Sequence, residues 1–285
     1  MILRVLALLA LLLLGVGTAS AMGQPQLVEV PSLDAPGTVP VQLPGHWFPA
    51  VGAGSRPAVV LLHGCGGVFD ATGRPGQRLV DYAAMLNAEG WHALVLDSLT
   101  PRGEKELCTQ RTGTRRITQA QRRLDALGAL QWLAEQPEVD SKRLALLGWS
   151  NGGSTVLAAT NRLHSAVARA AIAPRAAVAF YPGCEAELAR RYASTAPTLL
   201  LVGESDDWTP AQPCRELAGI AGSGLTLLAY AGAFHGFDGT APLRVRRDVP
   251  NGVRPGQGVT VGGDAAARAA SRREMLEFLR RQLNG

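Results

Sequence analysis

Residues 146–153, Leu-Leu-Gly-Trp-Ser-Asn-Gly-Gly, constrain the fold more than any other stretch of this chain. Residues 143–147 before the turn form a short apolar run that reads as a buried strand, and residues 153–160 begin a helix-like run. Between them lies G-x-S-x-G, at Gly148, Ser150 and Gly152. A strand entering a helix through so few residues needs a very tight turn. The serine there takes a strained backbone conformation, and its hydroxyl stands clear of the sheet. The flanking glycines are required because side chains would meet the neighbouring strand and helix. With 33 glycines among 285 residues, chance can write this pattern, so its weight depends on what the rest of the chain supplies.

Apolar runs at 57–63, 91–97, 176–181, 197–203 and 225–230 read as further strands, and most are too continuous to have a wet face. Helical spacing marks 78–88, where Leu79, Tyr82, Ala83 and Leu86 share a side, and 117–135, with Leu124, Leu127, Leu130 and Leu133. Residues 265–283 read as a closing helix. Strands alternating with helices call for a doubly wound, mostly parallel sheet with helices on both faces, the α/β class. Residues 26–30 and 38–43 read as an antiparallel edge and 44–56 as a turn-rich connection. Two long irregular segments remain, a polar loop at 98–114 and a glycine-rich stretch at 237–263 expected to pass over the site.

Reactive residues of an open α/β sheet collect at the carboxyl ends of strands. Ser150 ends one strand. Two strands later Glu204, Asp206 and Asp207 end another, and one strand after that His235 ends a third. Successive strand ends thus carry Ser…Asp…His, the order of α/β-hydrolases. His235 is the expected base for the Ser150 hydroxyl and Asp206 the carboxylate that orients it, with Asp207 left to cap the helix near Pro210. Backbone N–H groups of Asn151 and Cys65 are the expected oxyanion donors. His46, His92 and His164 are expected to be structural, and His63 to shape the turn at Cys65.

The first residues bear on the compartment. Arg4, the apolar stretch 5–16 and Ala19-Ser20-Ala21 fit a signal peptide over 1–21, leaving residues 22–285 as one domain. Some 12 apolar residues are too few to span a bilayer, and no later stretch is long enough. An exported protein, periplasmic or secreted, meets an oxidising environment, so Cys65, Cys108, Cys184 and Cys214 are disulfide candidates. Four cysteines allow three pairings. Strand-end positions favour Cys184–Cys214 and Cys65–Cys108. The absence of C-x-x-C speaks against a zinc site, so no metal is expected. The net charge of +5 raises nucleic acid as a partner, but the basic residues read mostly as arginines scattered on helix-like segments, such as Arg122-Arg123, with no basic stripe interleaved with aromatics. Arg102, Arg111, Arg115 and Arg116 read as a solvated basic face, with an anion site the less favoured reading. Trp149 and Trp208 suit either an apolar acyl site or the core.

The segments 63–67 (His-Gly-Cys-Gly-Gly), 148–153, 203–210 and 235–237 together resemble the dienelactone hydrolase family, over roughly residue 27 to the end of the chain. That resemblance implies an α/β-hydrolase fold, no metal or organic cofactor, and cleavage of small-molecule esters or lactones through an acyl-enzyme. The chain departs from the name-giving members in two ways. They carry a cysteine nucleophile and a glutamate near the oxyanion turn, where this chain has Ser150 and Gly64. They also place an arginine for the substrate carboxylate just after the catalytic histidine, where this chain has Gly236, Phe237, Asp238 and Gly239. An acyltransferase or small serine peptidase on the same residues remains open, as does a non-catalytic binding module.

Overall fold

The computed structural model describes residues 25–284, so the expected signal peptide at 1–21 lies outside it. The chain enters through β1 (Gln26–Pro31), β2 (Gln42–Phe48) and β3 (Arg56–Leu62), then α1 (Gln77–Ala88) and β4 (His92–Leu96). Two single 3-10 turns interrupt the 98–114 loop before α2 (Gln119–Ala134), β5 (Val139–Trp149) and α3 (Asn151–Thr160). There follow α4 (Ser165–Ala168), β6 (Ala176–Phe180), α5 (Glu185–Ala189), β7 (Thr198–Gly203), α6 (Ala211–Ala221) and β8 (Leu225–Tyr230). A small hairpin, β9 (Arg244–Arg246) and β10 (Val259–Val261), precedes α7 (Ala265–Leu283).

Eight strands form one sheet in the order β1-β2-β4-β3-β5-β6-β7-β8. From β4 to β8 every neighbour is parallel; β1 and β2 add an antiparallel edge. This is the α/β-hydrolase arrangement. Its order steps outward in opposite directions from β3, to β4 on one side and β5 on the other. That reversal opens a crevice beyond the strand ends, where open α/β sheets bind ligands.

The apolar runs are continuous because each strand faces two cores. Ala58, Val60 and Leu62 of β3 join the core under α2, α3 and α6, while Val59 and Leu61 join the core under α1 and α7. All five are fully buried. At about 1.5–3 kcal/mol for each large apolar side chain removed from water, such strands form the most resistant part of the molecule. A third, smaller cluster of Cys65, Leu99, Leu107, Cys108 and Ile117 lies beneath the 98–114 loop. The loop is therefore anchored by its own apolar side chains.

One expectation needs correction. The second edge strand runs over Gln42–Phe48, through Pro44 and Gly45, which read as the start of a connection. Pro44 uses its carbonyl to accept from the Asp97 N–H, and Gly45 sits where a Cβ would lie 2.9 Å from the Leu94 side chain. The residues that look like turn punctuation lie inside the β1–β2–β4 pairing, where Gly45 leaves room for the Val28, Val30 and Leu94 side chains. Arg122, one of the arginines scattered on helix-like segments, is fully buried on α2.

Candidate active site

The turn at Ser150 follows from two close backbone approaches. A Cβ on Gly148 would lie 2.3 Å from the Gly152 carbonyl oxygen, and one on Gly152 would lie 2.0 Å from that of Leu62. No L side chain fits at either place. Ser150 itself has φ 53° and ψ −116°, a conformation that costs a non-glycine residue on the order of 1–3 kcal/mol. It is held by the Ser150 N–H donating to the Phe180 carbonyl at 2.9 Å and by α3 beginning at the next residue.

The structure brings Ser150, His235 and Asp206 into one hydrogen-bonded chain. Ser150 Oγ lies 2.9 Å from His235 Nε2, and His235 Nδ1 lies 2.8 Å from Asp206 Oδ2. An ionised Asp206 only accepts, so Nδ1 carries the proton and Nε2 is left to accept from the serine hydroxyl. The other Asp206 oxygen accepts the N–H groups of Trp208 and Thr209 at 2.8 and 2.9 Å. Thr209 Oγ1 also lies 3.0 Å from Asp206 Oδ2 and 3.1 Å from His235 Nδ1, a role the sequence reading did not assign. The rings of Tyr181 and Trp208 each lie 4.6 Å from the imidazole centroid, which restricts its tilt.

Asp207 departs from expectation. The N-cap position of α6 is Pro210, with no side-chain cap, and Asp207 instead accepts from the Thr260 N–H and hydroxyl at 2.7 and 2.9 Å. It thereby ties the Asp206 loop to β10. The 237–263 segment is fastened a second time where the Gly262 N–H donates to the His235 carbonyl. Glu204 points away and pairs with Arg215 on the surface.

The remaining histidines have other partners. His92 accepts the Ala50 N–H, and His164 lies 2.9 Å from the buried Glu187 carboxylate. His46 packs edge-on against Phe69. His63 places Nδ1 2.6 Å from the Gly64 carbonyl, and burial together with the nearby Arg122 charge pushes its pKa well below 6.5. Of the loop arginines, Arg102 is committed to Asp34 and Asp125 and Arg116 to Glu104.

Cys65 bonds to Cys108 and Cys184 to Cys214. The first bond joins the glycine-rich turn after β3 to the 98–114 loop, where the Leu107 N–H also donates to the Cys65 carbonyl at 2.7 Å. The N–H groups of Cys65 and Asn151 donate to no protein acceptor among the described residues, and both residues line the crevice at Ser150. That crevice has two lobes meeting at Ser150. One, of about 480 Å³, is lined by Ile117, Ser154, Glu185 and Val253 among others. The second, of about 400 Å³, is bordered by His235, Arg78, Arg244, Arg246 and Arg272. Trp208 borders both, and Trp149, almost wholly buried with its ring N–H on Asp238, reaches the edge of the second.

Asp238 is a site feature that the sequence reading passed over. It is fully buried three residues after His235 and accepts from Tyr181 Oη at 2.6 Å, Tyr82 Oη at 2.9 Å and Trp149 Nε1 at 3.0 Å. Burial pushes both tyrosine pKa values well above 10, so both hydroxyls remain donors. No periodicity or motif marks this residue in the sequence. Its partners come from α1, β5 and the end of β6.

The profile described as the Dienelactone hydrolase family matches residues 47–283. The chain belongs to the dienelactone hydrolase family. As a member it is a dienelactone hydrolase-like carboxylic ester hydrolase. Solved structures share the fold at low identity. A dienelactone hydrolase-like promiscuous phosphotriesterase from metagenomic libraries is 22% identical, with a TM-score of 0.63, over 91% of this chain and 99% of that one. Thermogutta terrifontis esterase 2, phosphorylated by paraoxon, is 17% identical with a TM-score of 0.62, over 92% and 95%. A puromycin-hydrolyzing peptidase from Mycobacterium tuberculosis is 18% identical with a TM-score of 0.63, over 95% of this chain and 42% of its own length. A search of curated proteins returns no match. Among the described residues no helix is long and apolar enough to cross a membrane.

Proposed function

We propose that this protein is an exported serine hydrolase that cleaves small carboxylic esters or lactones through an acyl-enzyme on Ser150. The single observation that carries this reading is the unbroken chain from Ser150 Oγ through His235 to Asp206, at 2.9 and 2.8 Å, opening onto a two-lobed crevice.

The mechanism follows from that chain. As Ser150 Oγ attacks the ester carbonyl carbon, its proton passes to His235 Nε2. Asp206 holds the imidazole tautomer and balances the imidazolium charge. The carbonyl oxygen becomes an oxyanion facing the N–H groups of Cys65 and Asn151, the second of which begins α3 with the helix dipole behind it. Collapse of this intermediate breaks the carbon–oxygen bond to the alcohol, which takes the proton from His235. Water then attacks the acyl carbon while His235 takes its proton, and collapse of the second intermediate breaks the bond to Ser150 Oγ, which recovers the proton from His235 as the acid leaves. A serine nucleophile suits an oxidising compartment, where a thiol is prone to oxidation. The two disulfides support export, as do the apolar residues 5–16 of the sequence.

Reaction with a fluorophosphonate, followed by peptide mapping, tests this reading. One adduct on Ser150, absent in Ser150→Ala, is expected. Equal labelling of that variant would overturn it. Aryl esters of increasing acyl length, assayed beside aminoacyl amides, separate an esterase from a peptidase.

A further inference from the structure

Arg122 is the largest charged side chain sealed inside this molecule. Among the described residues no carboxylate lies within 4.0 Å of its guanidinium, and its Nε has no partner. Asp125 is engaged by Ser32 and Arg102, and Asp97 accepts the Leu99 and Thr100 N–H groups. Burying a cation without a paired carboxylate is expensive, and removing it in favour of an apolar side chain is often neutral or stabilising. Fold stability therefore gives no account of Arg122.

What its two terminal nitrogens hold is specific. Nη2 donates to the His63 carbonyl at 2.8 Å, two residues before Cys65, and Nη1 donates to the Asn151 side-chain oxygen. The same turn of α2 sends Gln119 Nε2 to the Asn151 carbonyl at 3.1 Å, and Thr155 Oγ1 fixes Gln119 from α3. One planar fork on α2 thus joins the glycine-rich turn after β3 to the first residue of α3. Those two segments come from different strands and touch closely, a Cβ on Gly64 lying 3.7 Å from that of Ser150.

The geometry points to Arg122 as a positioning residue that sets the separation of the Cys65 and Asn151 N–H groups, and so the oxyanion hole. This rests on the reading of Ser150 as nucleophile given above. The guanidinium suits the task because its planar donors reach two acceptors in fixed directions, which a lysine ammonium on a flexible stem does not. Burial lowers its pKa to about 10, so it stays charged at neutral pH.

The test compares wild type, Arg122→Met, Arg122→Lys, Asn151→Ala and the Arg122→Met/Asn151→Ala pair, with kcat expressed per site titrated to completion with a fluorophosphonate. Losing an oxyanion donor costs about 100- to 1000-fold in kcat, and displacing one costs less. Arg122→Met is accordingly expected to lose about 10- to 100-fold in kcat with KM within threefold, and Arg122→Lys to recover only part of this. The Ki of an aryl trifluoromethyl ketone, whose adduct places an oxyanion in the same hole, should rise by the factor that kcat/KM falls. A residue that only supports folding would lower the titrated fraction and leave both quantities unchanged. Asn151→Ala keeps its N–H and loses one arm of the clamp. A several-fold loss is expected, with little further loss in the pair. If Arg122→Met does not fold, Asn151→Ala and Arg122→Lys carry the comparison. Wild-type kcat per site and wild-type Ki in the variants overturn the clamp while leaving Ser150 as nucleophile. Failure to label Ser150 in the wild type overturns the underlying reading instead.

Discussion

Substituting Asp238 with asparagine changes one charge and almost no volume, and its cost can be worked from the three donors that converge there. Tyr82 Oη and Trp149 Nε1 share Oδ2, and Tyr181 Oη takes Oδ1. The asparagine oxygen can face the first two donors, which leaves its NH2 toward Tyr181, whose hydroxyl then turns to accept. All three contacts survive as neutral hydrogen bonds. Bonds to a charged group contribute about 1.5–3 kcal/mol and neutral ones about 0.5–1.5, so each contact loses about 1 kcal/mol and the set about 3. Arg78, 3.4 Å away and partly exposed, turns to solvent and adds little. At about 2–4 °C per kcal/mol for a domain of this size, Tm falls by about 6–12 °C. Thermal unfolding at pH 7 with disulfides intact reads this. A shift under about 2 °C would refute the view of Asp238 as the anchor that joins α1, β5 and the end of β6 beneath the imidazole.

Other consequences follow from the same structure. Asp206→Asn presents an NH2 to His235 Nδ1 and forces the wrong tautomer, so kcat should fall by about 10⁴ at an unchanged far-ultraviolet circular dichroism spectrum. Removing Cys65–Cys108, which spans 43 residues, or Cys184–Cys214, which spans 30, as paired alanine variants should each cost up to about 4 kcal/mol in urea unfolding. Only the Cys65/Cys108 pair should also lower kcat per titrated site, because only it restrains the Cys65 turn. His63 binds a proton less readily folded than unfolded, so the unfolded state holds more protons once pH falls through about 6.5. Stability should decline from there toward the lower folded pKa. His46 and His92, whose pKa values are also lowered by burial, act in the same direction. His63→Gln should flatten the decline without abolishing it, as measured by urea midpoints between pH 4 and 7.5.

The sheet was legible because its strands are covered on both faces, so runs such as 57–63 and 197–203 announce themselves without any alternation to interpret. Strand ends then put Ser150, Asp206 and His235 in chain order on one edge, and the structure joins their side chains. What escaped the sequence is what depends on burial across elements. Arg122 sits on a helix otherwise read by its leucines, and nothing local distinguishes a sealed arginine from the exposed Arg116 six residues earlier. Asp238 meets Tyr181 from 57 residues away, and Thr209 meets His235 from 26 residues away. Asp207 looked like a helix cap because of its spacing to Pro210, but the β9–β10 hairpin, too short and glycine-rich to read as strands, brings Thr260 within reach. Pro44-Gly45 failed as turn punctuation for a similar reason, since the side chains of Val28, Val30 and Leu94 on the neighbouring strands, rather than a chain reversal, demanded the missing side chain.

The central claim is that an acyl group passes through Ser150. Turnover of a slowly deacylating aryl ester, quenched in acid and followed by peptide mass mapping, measures this directly. The acyl mass should appear on the peptide holding Ser150, and Ser150→Ala should neither carry it nor turn over the ester. An acyl mass on any other residue, or turnover by Ser150→Ala at the wild-type rate, would contradict the account.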